Sequence, residues 1–329
     1  MKPHLCASGV IGRRATFRLS SIRVGVQVPP RAPKEISMGK VLSGIEVAKT
    51  IDERTKDMVD ILEKDYNTRP VLVLLEASEN GGVQSYKKNI VKKAEQLNIG
   101  VISCYWDSND KDTSMEDVAA SIVSLNETCQ VHSILLLKPF EVCQKDQQIL
   151  WNLIDESKDV DMISDKSLGT LINTSSILAP STVQACFAIL DYYKISCRGK
   201  RVLVIGRSPT VGKPAALVAL NKDATVTIAH SKTKDLQSLI DENEIIICAV
   251  GKPNFITKDM VNSNHIIIDI GINVVDGKVI GDVEAGAIDI VKAMTPVPRG
   301  VGSVTTSALM MKVVLAALHQ VRERKNESN

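Results

Sequence analysis

The residues of this 329-residue chain with the clearest chemistry follow one aliphatic run, Val202-Leu203-Val204-Ile205. Its β-branched and aliphatic side chains predict a strand buried on both faces. Gly206-Arg207-Ser208-Pro209-Thr210-Val211-Gly212 follows as a tight loop, and Val211 to Leu220 carries apolar residues that suit a helix. Gly206 and Gly212 are expected to let phosphates approach the backbone, with the helix N-terminus facing them. That arrangement is a dinucleotide cradle, although its spacing is not the common G-x-G-x-x-G. The next strand ends in Ala229-His230-Ser231-Lys232-Thr233, with hydroxyls and a lysine where NAD-selective cradles carry an acid. Ser231, Lys232 and Arg207 suit a 2′-phosphate, so the expected cofactor is NADP.

The string G-R-S-x-x-V-G-x-P resembles the signature of the bifunctional methylenetetrahydrofolate dehydrogenase/methenyltetrahydrofolate cyclohydrolase family. Ala249-Val250-Gly251-Lys252-Pro253 is similar to that family's A-x-G-x-P, and Ile268-Asp269-Ile270-Gly271-Ile272-Asn273, followed by Gly281-Asp282-Val283, to its I-D-V-G-I-N. The resemblance implies that Ile272 contacts the cofactor. It also implies two chemical steps: a hydride leaves a folate methylene bridge for nicotinamide, and water then opens the resulting methenyl cation to the formyl product. Hydride transfer mainly needs two rings held at contact distance, whereas hydrolysis also needs proton transfers. For these the family uses a lysine four residues after a tyrosine on one helix, with a glutamine nearby. Tyr86 matches the tyrosine, and Asp161 in Lys158-Asp159-Val160-Asp161 matches the carboxylate that pairs with the amino-pyrimidine edge of the pterin.

Several positions depart from that pattern. The lysine position is Ile90, the glutamine of V-Q-L-P-L-P is Leu137 in Leu136-Leu137-Lys138-Pro139-Phe140-Glu141, and a serine before the tyrosine is Val83. Pro180-Ser181-Thr182-Val183 stands for P-C-T-P, while Met162 and Arg299 replace family glycines, and that bulk is expected to narrow or reshape the substrate cleft. Lys93, seven residues after Tyr86, lies about 20° off its helical face and roughly 10 Å along the axis, so it is a candidate to reach back in the lysine's place. Restoring Ile90→Lys is expected to raise hydrolysis where the pocket is otherwise intact. Two functions therefore stand: an NADP-dependent methylenetetrahydrofolate dehydrogenase whose cyclohydrolase step is in doubt, and an NADP-binding relative that is regulatory or has a changed substrate.

The elements that must position these residues alternate. Helices are expected at Gly44 to Leu62, Val83 to Leu97, Met115 to Leu125, Asp146 to Ile154, Ser181 to Tyr193 (with Ser181 as its cap) and Thr305 to Val321. Strands are expected at Val71 to Leu75, from Ile99, at Ser133 to Leu137, Ala224 to Ile228, Glu244 to Ala249 and His265 to Asp269, with Ser157 to Thr174 irregular. Such alternation predicts parallel βαβ units. The expected fold is α/β with two domains: a Rossmann-like NAD(P)-binding domain at 178–294 and a catalytic folate-binding domain at 38–177 plus 295–329, completed by the C-terminal helix. The family resemblance adds a homodimer acting on tetrahydrofolate one-carbon derivatives.

Composition sets outer bounds. Hydrophobic content of 44% and charged content of 24% are those of a soluble globular protein, and no apolar run in the sequence reaches the length of a membrane span. Seven scattered cysteines with no C-x-x-C pair argue for reduced thiols in the cytoplasm and against a metal site. Residues 1–37 hold seven Lys and Arg against one acid; without them, 33 basic and 37 acidic residues turn the net charge from +2 to −4. The basic balance is thus no property of the expected folded body, and a nucleic-acid partner is not implied. An Arg- and Ser-bearing, acid-poor leader has the composition of an organellar transit peptide. Arg23 to Ala32 reads rather as translated upstream non-coding sequence with the start at Met38, so residues 1–37 are expected to be disordered and dispensable.

Overall fold

The computed structural model describes residues 39–107, 109, 113–142, 147–172 and 179–327; the expected leader lies outside them, as do Cys6, Cys143 and Asp146. The described residues open with β1 (Lys40–Val41) and α1 (Gly44–Tyr66). They then alternate β2 (Val71–Glu76), α2 (Gly81–Gln96), β3 (Gly100–Tyr105), α3 (Met115–Glu127) and β4 (Ser133–Leu136) before two short helices, α4 (Gln147–Leu153) and α5 (Asp165–Thr170). α5 falls inside the stretch expected to be irregular. Its six residues carry no apolar period, and it starts where Ser164 Oγ accepts from Ser167 N.

The second half runs α6 (Ser181–Tyr192), β5 (Arg201–Ile205), α7 (Gly212–Asn221), β6 (Thr225–Ala229), α8 (Leu236–Asp241), β7 (Ile245–Cys248) and β8 (Ile266–Asp269). A hairpin of β9 (Asn273–Val275) and β10 (Lys278–Ile280), then β11 (Ala293–Met294) and the long α9 (Val301–Glu327), complete the chain. Ser181 is not the cap of α6. Pro180 holds that place, and Ser181 is the first helical residue, its N–H donating to Asp161 Oδ1 at 3.2 Å.

Two parallel sheets organise these elements. β3-β2-β4 form one, and β1-β11-β8-β7-β5-β6 form the other. Strands β4, β7 and β8 are buried throughout, which is why their sequences read as unbroken aliphatic runs rather than alternating ones. The expected division near residue 178 is crossed at the start of the chain, because β1 pairs with β11 in the second sheet. A two-residue strand carries too little pattern to be recognised. In the second sheet the order reverses between β5 and β7, and a ligand crevice opens beyond strand ends at such a switch point.

α9 ties the sheets to one body. Leu309, Val313 and Ala317 pack with Leu72 and Leu74 of β2 and with Val59 and Leu62 of α1 in one buried cluster. Each fully buried Leu or Val contributes roughly 1.5–3 kcal/mol, so this face alone is a large part of what holds the helix down. By length and composition α9 is long and apolar enough to cross a membrane, but 72% of its apolar window is buried inside the protein.

Candidate active site

The cradle loop is shaped first by its own backbone. Gly206 has φ +124°, and a Cβ there would fall 2.3 Å from Ala249 O; a Cβ on Gly212 would fall 2.2 Å from Gly206 O. Both glycines are therefore needed for the loop to close on itself, a nearer cause than room for phosphates. Ser208 Oγ accepts from Val211 N and Gly212 N, and Ser208 O from Lys213 N, which fixes the entry to α7. The N–H groups of Arg207 and Ser208 find no acceptor among the described residues, so they stand ready for an anion at that helix end. β5 and β6 pair in register from Arg201 with Thr225 to Ile205 with Ala229, which brings the loop holding Ser231 and Lys232 out at the same sheet end. Both side chains are exposed, and His230 Nδ1 and Thr233 Oγ1 accept backbone N–H groups that hold the loop. A dinucleotide with an extra phosphate fits this donor set.

The motifs after β7 and β8 are joined by two buried carboxylates. Asp282 accepts from Val250 N, Gly251 N, Lys252 N and Asn273 Nδ2 at 2.7–3.0 Å. Asp269 accepts from Gly271 N, Asp282 N and Val283 N; burial pushes it up to about 6 against the pull of those donors. Ile272, beside Gly271, is 65% exposed and stands on the wall of a cleft of about 1200 Å³ between the two sheets. Thr210 and Val211 of the cradle, Pro298 to Ser303 with Thr305 and Thr306 ahead of and within α9, and Tyr86, Lys138 and Asp161 of the first half line the same cleft.

On the first-half side, the Lys158 to Asp161 stretch divides its labour. Lys158 Nζ donates to the carbonyls of Leu125, Asn126 and Thr128 and so caps the end of α3. Asp159 accepts from Ile163 N and Ser164 N, which folds the next turn. Asp161 faces the cleft. Burial, and then Asp161, push the Tyr86 hydroxyl well above its ordinary range, so it enters the cleft as a neutral phenol.

The departures from the family pattern have distinct structural outcomes. Val83, Ile90 and Leu137 belong to one buried cluster with Val160, and Tyr86 packs against it, so an apolar plug stands where polar groups were expected. Lys93 lies on the cleft wall, but its Nζ is bound to Asp52 of α1. Met162 and Arg299 both hold left-handed backbone, φ +53° and +77°, the conformation for which glycine is suited. Met162 does not narrow the cleft, because its side chain is buried in the core with Leu171 and Val183. Arg299 is exposed on the cleft wall and makes no ion pair among the described residues.

Two further lysines were not indicated by spacing. Lys138 opens onto the cleft with its Nζ 4.3 Å from the centre of the Trp151 ring. Lys312 of α9 is buried, donates to Ala179 O at 3.0 Å, and is pushed down to about 8 by burial against the opposing pull of Asp161 and Asp159. Only the tertiary fold brings either to Asp161; the aliphatic strand end before Lys138 was the one available signal. Among the described residues no cluster of metal-ligating side chains occurs, and Cys104, Cys129, Cys186, Cys197 and Cys248 are free thiols.

Known proteins share this arrangement. Residues 42–161 match the catalytic domain, and 180–321 the NAD(P)-binding domain, described for tetrahydrofolate dehydrogenase/cyclohydrolase. The bifunctional protein FolD of Dictyoglomus thermophilum is 38% identical over 283 residues, covering 85% of this chain and 97% of its own. The crystal structure of the bifunctional enzyme FolD from Campylobacter jejuni superposes with TM-score 0.80 at 31% identity, covering 85% of this chain and 99% of that one. The Trypanosoma brucei enzyme, solved with NADP cofactor and inhibitor, superposes with TM-score 0.80 at 28% identity over 86% of this chain and 98% of its own. With both domains matched in order and the cradle, Tyr86 and Asp161 opening on one cleft, this chain belongs to the tetrahydrofolate dehydrogenase/cyclohydrolase family.

Proposed function

We propose that this protein is an NADP-dependent methylenetetrahydrofolate dehydrogenase. The observation that carries the reading is the shared cleft: Ile272 at its cofactor side, Tyr86 and Asp161 at its other wall. Arg207, Ser208, Ser231 and Lys232 would hold the cofactor, with the two lysine and arginine charges and the open N–H groups suited to its phosphates. NADP supplies the hydride acceptor when bound. Asp161 receives the N–H donors of an amino-pyrimidine edge, and it is held at the N-terminus of α6 by the Ser181 N–H. Tyr86, kept neutral, offers a hydroxyl donor rather than a second negative charge. The apolar plug of Val83, Ile90 and Leu137 leaves no proton carrier behind Tyr86, which separates hydride transfer from hydrolysis.

A homodimer in the cytoplasm goes with this reading. The edge strand β3, with Ile102 and Tyr105 about half exposed, offers an apolar border for a second copy. Arg299 favours the second reading, an NADP-binding relative with a changed, more acidic substrate, because it adds to the cleft a cation that makes no ion pair among the described residues.

The test is to mix the protein with methylenetetrahydrofolate and either NADP or NAD, and to follow reduced nicotinamide and methenyl absorbance separately. Reduction with NADP at least about tenfold faster than with NAD is expected from the cationic 2′-phosphate seat. NADP binding without any reduction would overturn the dehydrogenase reading in favour of the second.

A further inference from the structure

Hydrolysis in this family pattern needs an amine, and α2 carries none at the expected position, where Ile90 is fully buried. The end of β4 carries one. Leu137 packs into the cluster behind Tyr86, and the next residue, Lys138, opens onto the cleft. Its ammonium rests on the face of Trp151 and makes no ion pair among the described residues. Of the other lysines near the site, Lys93 is bound to Asp52, Lys87 to Glu76 at 2.5 Å and Lys312 to Ala179 O in the core, while Lys92 lies solvent-exposed on the α2 side of the cleft. Asp161 and Asp159 are the charges that face Lys138, and Asp161 also faces Tyr86, so one carboxylate lies in electrostatic reach of both cleft groups. Desolvation by its neighbours lowers the Lys138 ammonium from the usual lysine range against the pull of those two acids, which eases release of its proton.

We propose that Lys138 is the catalytic amine of the hydrolytic step, supplied from the end of β4 instead of from α2; this rests on the folate reading given above. The neutral amine takes one proton from water as the water oxygen bonds to the methenyl carbon. It then returns that proton to N5 as the bond from this carbon to N5 breaks. The remaining hydroxyl proton leaves to solvent as the formyl carbonyl forms, so water is added, one proton is released, and nothing is oxidised or reduced. The four-carbon stem gives the amine the reach to leave the Trp151 face and enter the cleft.

The experiment compares the full-length protein with Lys138→Met and Lys138→Arg. Each receives methylenetetrahydrofolate with NADP and, separately, the methenyl compound, from about pH 6 to 9. In Lys138→Met, which keeps the stem against Trp151, NADP reduction is expected within about threefold of the parent, while enzyme-dependent loss of methenyl absorbance falls at least about tenfold and loses its rise with pH. Lys138→Arg, charged but unable to give up its proton, is expected to be as poor in hydrolysis. Hydrolysis retained in the Met variant, equal loss of both activities, or a parent that reduces NADP without hydrolysing the product would each overturn the role of Lys138 and leave the dehydrogenase standing. A parent that binds NADP but reduces none removes the folate reading and this proposal with it.

Discussion

Ile90 shows how one side chain can change the chemistry of a neighbour it does not replace. It is fully buried, packed with Val83, Leu137 and Val160 behind Tyr86, so a lysine placed there meets hydrocarbon on several sides. The expectation that Ile90→Lys restores hydrolysis takes no account of this packing. A buried ammonium without a partner costs several kcal/mol and lowers its own pKa. Ile90→Lys is therefore expected to lower unfolding stability by about 3 kcal/mol with no gain in hydrolysis, as read by urea unfolding and methenyl absorbance. Adding Leu137→Gln supplies an acceptor and should recover about 1 kcal/mol. A stable single variant would mean that the lysine escapes to the cleft along the Tyr86 ring. Left-handed backbone at Met162 and Arg299 is a related trace: a non-glycine residue there costs roughly 1–2 kcal/mol. Met162 offsets that by filling core, whereas Arg299 places a cation in the cleft, where strain is kept for what the side chain does.

Three short loops follow the ends of β7, β8 and β10, the second of them reaching the cleft, and Asp282 holds them in register. Its carboxylate takes three successive N–H groups of the 250–252 loop and the Asn273 amide of β9, while Asp269 takes the N–H of Asp282 itself. Asp282→Ala would leave those part-buried donors without their acceptor, at about 1 kcal/mol each where water replaces it. It is expected to lower stability by roughly 3 kcal/mol and to weaken NADP binding more than about tenfold, as measured by calorimetric titration. Unchanged NADP affinity in a folded variant would show that these loops do not shape the cofactor seat. The sequence revealed the strands that bear these loops because Ile245–Cys248 and Ile266–Asp269 are unbroken aliphatic runs, a pattern that needs no tertiary information. It revealed the loops because their glycines and acids recur in order. The β9–β10 hairpin was equally legible, with Asp276-Gly277 between paired valines, but it lay inside a motif being read for its glycine. Lys138 and Lys312 were not legible, since the carboxylate they share is brought to them by a turn and a helix far away in the chain.

At the scale of the whole molecule, α9 clasps the first sheet, and the clasp contains an acid-sensitive group. His132 is buried at the start of β4; its Nδ1 accepts from Val71 N, and its carbonyl accepts from Gln320 Nε2 of α9. Burial, then Arg324 and Lys158, push its imidazole down to about 4. The unfolded chain binds a proton at His132 near pH 6.5 and the folded chain only near 4, so stability is intact above about 6.5 and is lost as pH falls toward 4. At pH 4.5 the loss is about 2–3 kcal/mol. Asp269, raised to about 6, acts with the opposite sign over much of the same window: there the folded chain holds the extra proton, and its contribution grows as pH falls. The two nearly cancel in the parent protein, so its pH profile alone hides both. His132→Asn keeps an acceptor for Val71 N and removes one of them. Urea unfolding of parent and variant at pH 7 and at pH 4.5 isolates the histidine, because Asp269 is common to both proteins. The variant is expected to be about 1 kcal/mol less stable at pH 7, from lost packing, and more stable than the parent by a similar amount at pH 4.5. Parallel stability curves would mean that His132 is protonated in the folded state, and that α9 is held through its apolar face without an acid-sensitive latch.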